Sequence, residues 1–233
     1  MSKFGLGMAL AAGLGALVAG QAVAADLSAK PAYKAPVEAP LSPWQIRVRA
    51  LGVIPEDGGS VNAFGVTPIA GADLGYSNSI TPELDISYYF TDNIAAELIL
   101  GTTKANVYAE GSISGIGKVG STWILPPTLT LQYHFTNFGA FKPYVGAGVN
   151  YTIFYSQSGD GANADLSVKN AWGFALQAGF DWMIDRHWGF NVDVKKIFLE
   201  PDYDAVVTAA NLPVSGTADL NPWLVGVGVT YRF

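Results

Sequence analysis

Nine charged side chains fall at every second position of otherwise apolar stretches: Arg47, Arg49, Glu83, Asp85, Glu97, Asp181, Asp193, Lys195 and Arg232. Alternate residues of a β-strand point to opposite faces. If these stretches are strands, all nine charges share one side. Four basic and five acidic groups gathered on one interior surface support two kinds of chemistry. They can form a polar gate for solutes, or they can neutralise one another as a salt-bridge plug, which requires near balance. Leu51 and Ile99 fall on the same side as the charges. They either line a hydrophobic constriction or simply pack against each other. The candidate channel lining is therefore Arg47, Arg49, Leu51, Glu97, Ile99, Asp193 and Lys195.

Catalytic chemistry has little to build on. Glu83 and Asp85 are of the right type for acid–base work, but carboxylates two apart on one strand face serve a structural role equally well. The two histidines, His134 and His187, flank short connections, whereas Ser121 and Ser156 flank long ones. A nucleophile and its base must lie within hydrogen-bond reach, and these would sit at opposite ends of a strand. No phosphate-cradling glycine loop, histidine cluster or cofactor motif is present. The acidic run Glu200-Pro201-Asp202-Tyr203-Asp204 could offer oxygen ligands to a hard cation; a solvated loop is the plainer reading. No catalytic, cofactor-binding or metal residue is assigned.

The chain opens with Lys3, an apolar and glycine-rich run over 4–20, and Gln21-Ala22-Val23-Ala24-Ala25. Charged start, apolar centre and small residues at a cut site describe a secretory signal ending at Ala24, or one residue later at Ala25. A membrane anchor is the alternative. It needs ~20 consecutive apolar residues, a reach met only if five glycines are counted, and no basic stop-transfer cluster follows. Residues 25–43 are proline-rich and read as an extended periplasmic tether. Removing Lys3 with the signal leaves 12 basic and 19 acidic residues, a net of −7. Such an acidic chain without a basic patch argues against nucleic-acid binding. Cysteine is absent, which excludes disulfides and thiolate chemistry.

Half of the chain is hydrophobic and only 14% is charged, yet residues 44–233 contain no apolar run long enough for a spanning helix. The remaining way to live in lipid is a closed sheet whose backbone groups are all paired between strands. Period-2 patterning supports it over 46–51, 83–90, 96–101, 128–135, 144–153, 171–182, 188–195 and 223–233. Trp223, Val225, Val227, Val229, Tyr231 and Phe233 share one face of the last stretch, opposite Leu224, Gly226, Gly228, Thr230 and Arg232. Connections alternate between short (near 91–93, 136–140 and 185–186) and long (near 55–79, 107–122, 156–168 and 200–221). A soluble sandwich gives no reason for that alternation. The expected fold is all-β: an eight-stranded antiparallel up-and-down transmembrane barrel over 44–233, with four long outer loops and three short periplasmic turns.

LPPTLTLQYHF (125–135), FKPYVGAGVNYTIFY (141–155), AWGFALQAGFDWMI (171–184) and NPWLVGVGVTYRF (221–233) resemble the OmpW family of small outer-membrane proteins. The likeness runs from Trp44 to the end; the proline-rich segment before it departs from the family. The resemblance implies a narrow, largely hydrophobic channel in the outer membrane of a Gram-negative bacterium, passing small apolar molecules. It also implies outer-membrane lipids and the barrel assembly machinery as partners, with Phe233 as the assembly signal. Phage or bacteriocin ligands are further implied partners. Three functional readings follow: a channel for small hydrophobic solutes, a non-conducting structural or receptor barrel, and a barrel enzyme. An open apolar lumen separates the first from the second. Pro126 and Pro127, lacking backbone N–H groups, are expected to leave a local gap in strand pairing on the outer half of the wall.

Overall fold

A computed structural model describes residues 40–160 and 163–233. The export signal and all but the last four residues of the proline-rich segment lie outside the described residues. Eight long strands form the barrel: β1 (Trp44–Ile54), β2 (Ser79–Tyr89), β3 (Ile94–Gly101), β4 (Thr128–His134), β5 (Phe141–Gly159), β6 (Ala171–Met183), β7 (Trp188–Phe198) and β8 (Trp223–Arg232). Each pairs antiparallel with its neighbours in sequence, and β1 pairs with β8, so the sheet closes on itself. Closure removes the unpaired edge that an open sheet would expose to lipid.

The alternation fixes which face meets what. Val48, Leu129, Leu131, Phe174, Leu176 and Val227 are exposed on the outside, whereas Arg47, Arg49, Thr130, Gln177 and Asp193 are buried inside. Charges facing lipid near midplane would cost ~2–4 kcal/mol each for Lys or Arg, so the sequence keeps them inward. Two aromatic girdles ring the outer face. Trp44, Tyr88, Tyr133, Trp182, Trp188 and Tyr231 mark the end with short turns, and Tyr155, Trp172 and Trp223 mark the end with long loops. Phe233 closes the outward row of β8. Its ring stands edge-on to Tyr231 at 4.9 Å, its N–H donates to Trp44 O at 3.2 Å, and its carbonyl accepts from Ser42 N at 2.6 Å.

The strands run further than their lipid-crossing patterns. β5 continues to Gly159, well past its alternating segment at 144–153. The long connections are themselves sheet. Thr103–Gly111 and Lys118–Leu125 form a hairpin that extends β3 and β4 beyond the membrane, flanked by Ala72–Tyr76 and by the end of β5. A second, five-stranded sheet joins Asn163–Val168, Asp202–Val207, Leu212–Thr217, Asn62–Ala63 and Thr67–Pro68. Buried Leu74, Val107, Phe154, Leu166, Tyr203 and Leu220 pack between the two. The loops therefore form a walled apolar cap. Their short strands and frequent shifts of register break the simple period-2 signal that marks the barrel.

Candidate functional site

The interior is layered along the barrel axis. Nearest the short turns lies a polar bowl of about 790 Å³ lined by Gln45, Tyr89, His134, Lys142 and Arg232, among others. Above it the lumen is filled by charge. Arg47 grips Asp181 with two hydrogen bonds, Nε to Oδ1 at 3.1 Å and Nη2 to Oδ2 at 2.6 Å, and also pairs with Glu97. Arg49 Nε donates to Glu83 Oε1 at 2.8 Å, and its Nη2 lies 2.5 Å from Asp85 Oδ2. That last contact is close but poorly aligned, so neither atom gains a directional hydrogen bond from it. Lys195 Nζ donates to Glu83 Oε1 at 3.0 Å and to Asp193 Oδ1 at 2.8 Å. All these side chains are buried.

Neutral polar groups complete the layer. Gln177 Nε2 donates to Glu97 at 3.0 Å and to Asp193 at 2.9 Å; Gln132 Nε2 donates to Glu97 at 2.8 Å. Tyr144 O–H donates to Asp193 Oδ2 at 2.8 Å. The inward glycines make the room. A Cβ on Gly228 would stand 2.8 Å from Arg49 Cγ and 2.0 Å from the Val48 carbonyl, and one on Gly179 would stand 2.6 Å from the Tyr144 hydroxyl. A buried ion network holds only when its remaining lone pairs and protons are also satisfied. Here nearly all of them are.

Above Glu83 and Lys195 the character changes. Leu51, Val53, Ile99, Ile197, Leu199 and Leu224 surround an apolar chamber of about 80 Å³, with Glu83 and Lys195 on its floor. A smaller void of about 30 Å³ in the loop cap shares Tyr76, Ala105, Ile124 and Leu220 with it. Apolar lining thus runs continuously from the cap into the upper barrel.

The chamber reaches the wall where the ladder is broken. Pairing of β3 with β4 stops at Ile99–Thr128 and resumes at Thr103–Ile124. Residues 100–102 and 125–127 face each other outside the ladder. Extending the register sets Gly101, without a side chain, opposite Pro126, without an N–H, and both line the chamber. The break is one-sided. Towards β5, Tyr151 N donates to Pro127 O at 3.0 Å, and Asn150 Nδ2 donates to Pro126 O at 3.2 Å.

The structure brings Arg47, Arg49, Glu97, Asp193 and Lys195 into one network and places Leu51 and Ile99 apart from it, in the chamber. Arg232 departs from the expectation of four bases in the plug. Its guanidinium lies at the mouth of the bowl, 3.8 Å from the centre of the Tyr89 ring. The buried network therefore holds three bases against five acids. The reason is positional: Arg232 is the last residue of β8, past Thr230, which caps Asp181 at 2.5 Å. His134 lies in the lower lumen between the Tyr89 and Tyr144 rings, and His187 Nδ1 donates to Arg232 O at 2.6 Å. The acids at 200–204 diverge: Asp202 meets Thr217, Asp204 meets Lys169 and Glu200 meets Asn221. Among the described residues no group of acids or histidines is placed to hold a metal. Sequence reading passed over Tyr144, Gln132 and Gln177 in the network and Ile197, Leu199 and Leu224 in the chamber. Following each inward row beyond its charged members would have found them.

Comparison with known proteins agrees with this architecture. The OmpW family model matches residues 43–233. An uncharacterised outer-membrane protein, y4mB of Sinorhizobium fredii, is 59% identical over 214 residues, covering 91% of this chain and 90% of that one. The dibenzothiophene metabolism operon protein PahQ of Pseudomonas aeruginosa is 30% identical over 202 residues, covering 85% and 92%. The crystal structure of the outer membrane protein OprG from Pseudomonas aeruginosa superposes with a TM-score of 0.77 at 27% identity, covering 83% of this chain and 97% of that one. A closed barrel with girdles at two interfaces, relatives that are outer-membrane proteins and a family match across the whole barrel lead to one assignment: this chain is an outer-membrane protein and belongs to the OmpW family.

Proposed function

We propose that this barrel is a channel for small, mainly hydrophobic molecules, which enter through the loop cap and leave sideways through the wall beside Pro126 and Pro127. The observation that carries the reading is the contrast along the lumen. The apolar chamber ends on a floor of buried, mutually paired charge, while its side wall includes the Gly101–Pro126 break. An apolar solute moving down would have to displace charge-assisted hydrogen bonds and replace none of them. Moving sideways, it passes from one apolar medium to another. The name of the PahQ relative, tied to metabolism of a fused-ring apolar compound, fits a solute of this class.

The polysaccharide layer is the barrier such a molecule must cross, so the test uses vesicles whose outer leaflet carries lipopolysaccharide. Uptake of N-phenyl-1-naphthylamine should rise with the protein present, with little ion conductance. Pro126→Thr together with Pro127→Thr gives the strand back its missing N–H donors, the one at 126 facing the break, and should reduce uptake severalfold while leaving conductance unchanged. Undiminished uptake in a folded double variant would sink sideways release. It would favour a non-conducting structural or surface-receptor barrel, a reading that the closed charge layer by itself also suits.

A further inference from the structure

The wall break is bridged from outside by two side chains. Thr102 and Tyr155 both point outward at the level of the loop-end girdle. Thr102 Oγ1 donates to the Ile124 carbonyl at 3.1 Å and lies 2.7 Å from the Tyr155 hydroxyl. A threonine hydroxyl has one proton. That proton goes to Ile124, so Tyr155 is the donor to Thr102. The result is a relay: Tyr155 O–H to Thr102 Oγ1, and Thr102 O–H to Ile124 O. Thr102 is itself tied to β2, because its carbonyl accepts from Thr81 Oγ1 at 2.5 Å. The Tyr155 ring lies roughly parallel to that of Trp123, its partner in the ladder, at 6.3 Å. The relay therefore fastens the β2–β3 side of the break to the β4–β5 side at the upper edge of the gap, where ladder bonds are missing.

We propose that Tyr155 and Thr102 form a latch that holds the break shut, and that solute release depends on its opening. The inference rests on the sideways route proposed above. A latch made of two neutral hydroxyls suits this duty. One such bond contributes little net free energy, so it biases the closed state without locking it. In the ladder, several bonds would have to part together. An apolar solute pressing outward through the Gly101–Pro126 window meets this relay at the upper edge, before the ladder that resumes at Thr103–Ile124.

The test uses the full-length protein in the same lipopolysaccharide vesicles with the same naphthylamine probe. Tyr155→Phe keeps the ring beside Trp123 and removes only the hydroxyl. Thr102→Val keeps the shape and removes both bonds. Each should raise the initial uptake rate about three- to tenfold, the shift expected when one neutral hydrogen bond stops favouring the closed state. The double variant should be no faster than the faster single, because both act on one relay. A covalent latch separates this inference from the route it rests on. Extending the Thr103–Ile124 register by one place sets Thr102 opposite Leu125, and the chain has no other cysteine. Thr102→Cys with Leu125→Cys should block uptake when oxidised and exceed the unmodified protein when reduced. Uptake blocked on oxidation but unchanged or lowered in Tyr155→Phe would overturn the latch and leave sideways release standing. Full uptake in the oxidised protein, with the disulfide verified, would overturn both.

Discussion

The lower and upper halves of this lumen are built by the same eight strands with the same alternation, yet they solve opposite problems. In the lower half, eight ionisable side chains and their amide and hydroxyl neighbours fill the space, and all but Asp85 and one Arg49 nitrogen find hydrogen-bond partners. In the upper half, branched aliphatic side chains line a chamber of about 80 Å³. A small barrel encloses little room, and whether it is plugged or hollow depends on what its inward rows carry. Two steps along β1, from Arg49 to Leu51, or along β7, from Lys195 to Ile197, cross from one regime to the other. The lesson is that a barrel this narrow need not be uniformly open or shut. Its charged layer forms the floor of the apolar chamber above it.

The contrast can be broken most severely from below. Arg47→Met removes the cation that both Asp181 and Glu97 grip and leaves buried Asp181 with neutral donors alone, an expected loss of about 3–5 kcal/mol. Urea unfolding in lipid vesicles measures it, and a loss below about 1 kcal/mol would show that the network is wetter than its burial implies. Next is the register that separates lumen from lipid. Leu176→Arg should cost about 2–4 kcal/mol near midplane, and Gln177→Arg should cost less, since it faces Glu97 and Asp193 inside. Equal penalties would mean that the two faces are not distinct. The upper half is probed by function. Ile99→Asp places an unpaired charge in the chamber and should lower naphthylamine uptake at least about tenfold, corresponding to about 1.4 kcal/mol, in a protein that still folds. An unaffected rate would mean that the solute does not use the chamber. The smallest equilibrium effect is expected away from both halves, at Phe233. Its deletion removes one edge-on ring contact and two terminal backbone bonds. It should barely move the unfolding midpoint but slow assembly in cells, followed by pulse-chase of the heat-modifiable folded form.

Much of this is legible in the amino-acid sequence. Period-2 rows, the alternation of short and long connections and the absence of a helical span fix the strand number and the inward placement of Arg47, Arg49, Glu83, Asp85, Glu97, Asp181, Asp193 and Lys195. They do so because lipid admits no other arrangement of polar backbone and charged side chains. Pro126 and Pro127 marked a place where ladder bonds could not form, for a reason internal to proline. What the sequence did not determine is the pairing across strands. Which acid meets which base, whether Arg232 joins them, and that the network stops below Leu51 all depend on stagger between strands, which no single strand encodes. The loops were less legible still, because their strands are short and shifted in register, so no periodicity announces them. Gly101 facing Pro126, and Tyr155 reaching across to Thr102, join residues 25 and 53 positions apart. Only the closed sheet brings them together, since contacts between strands are set by register and barrel closure rather than by neighbours in the chain.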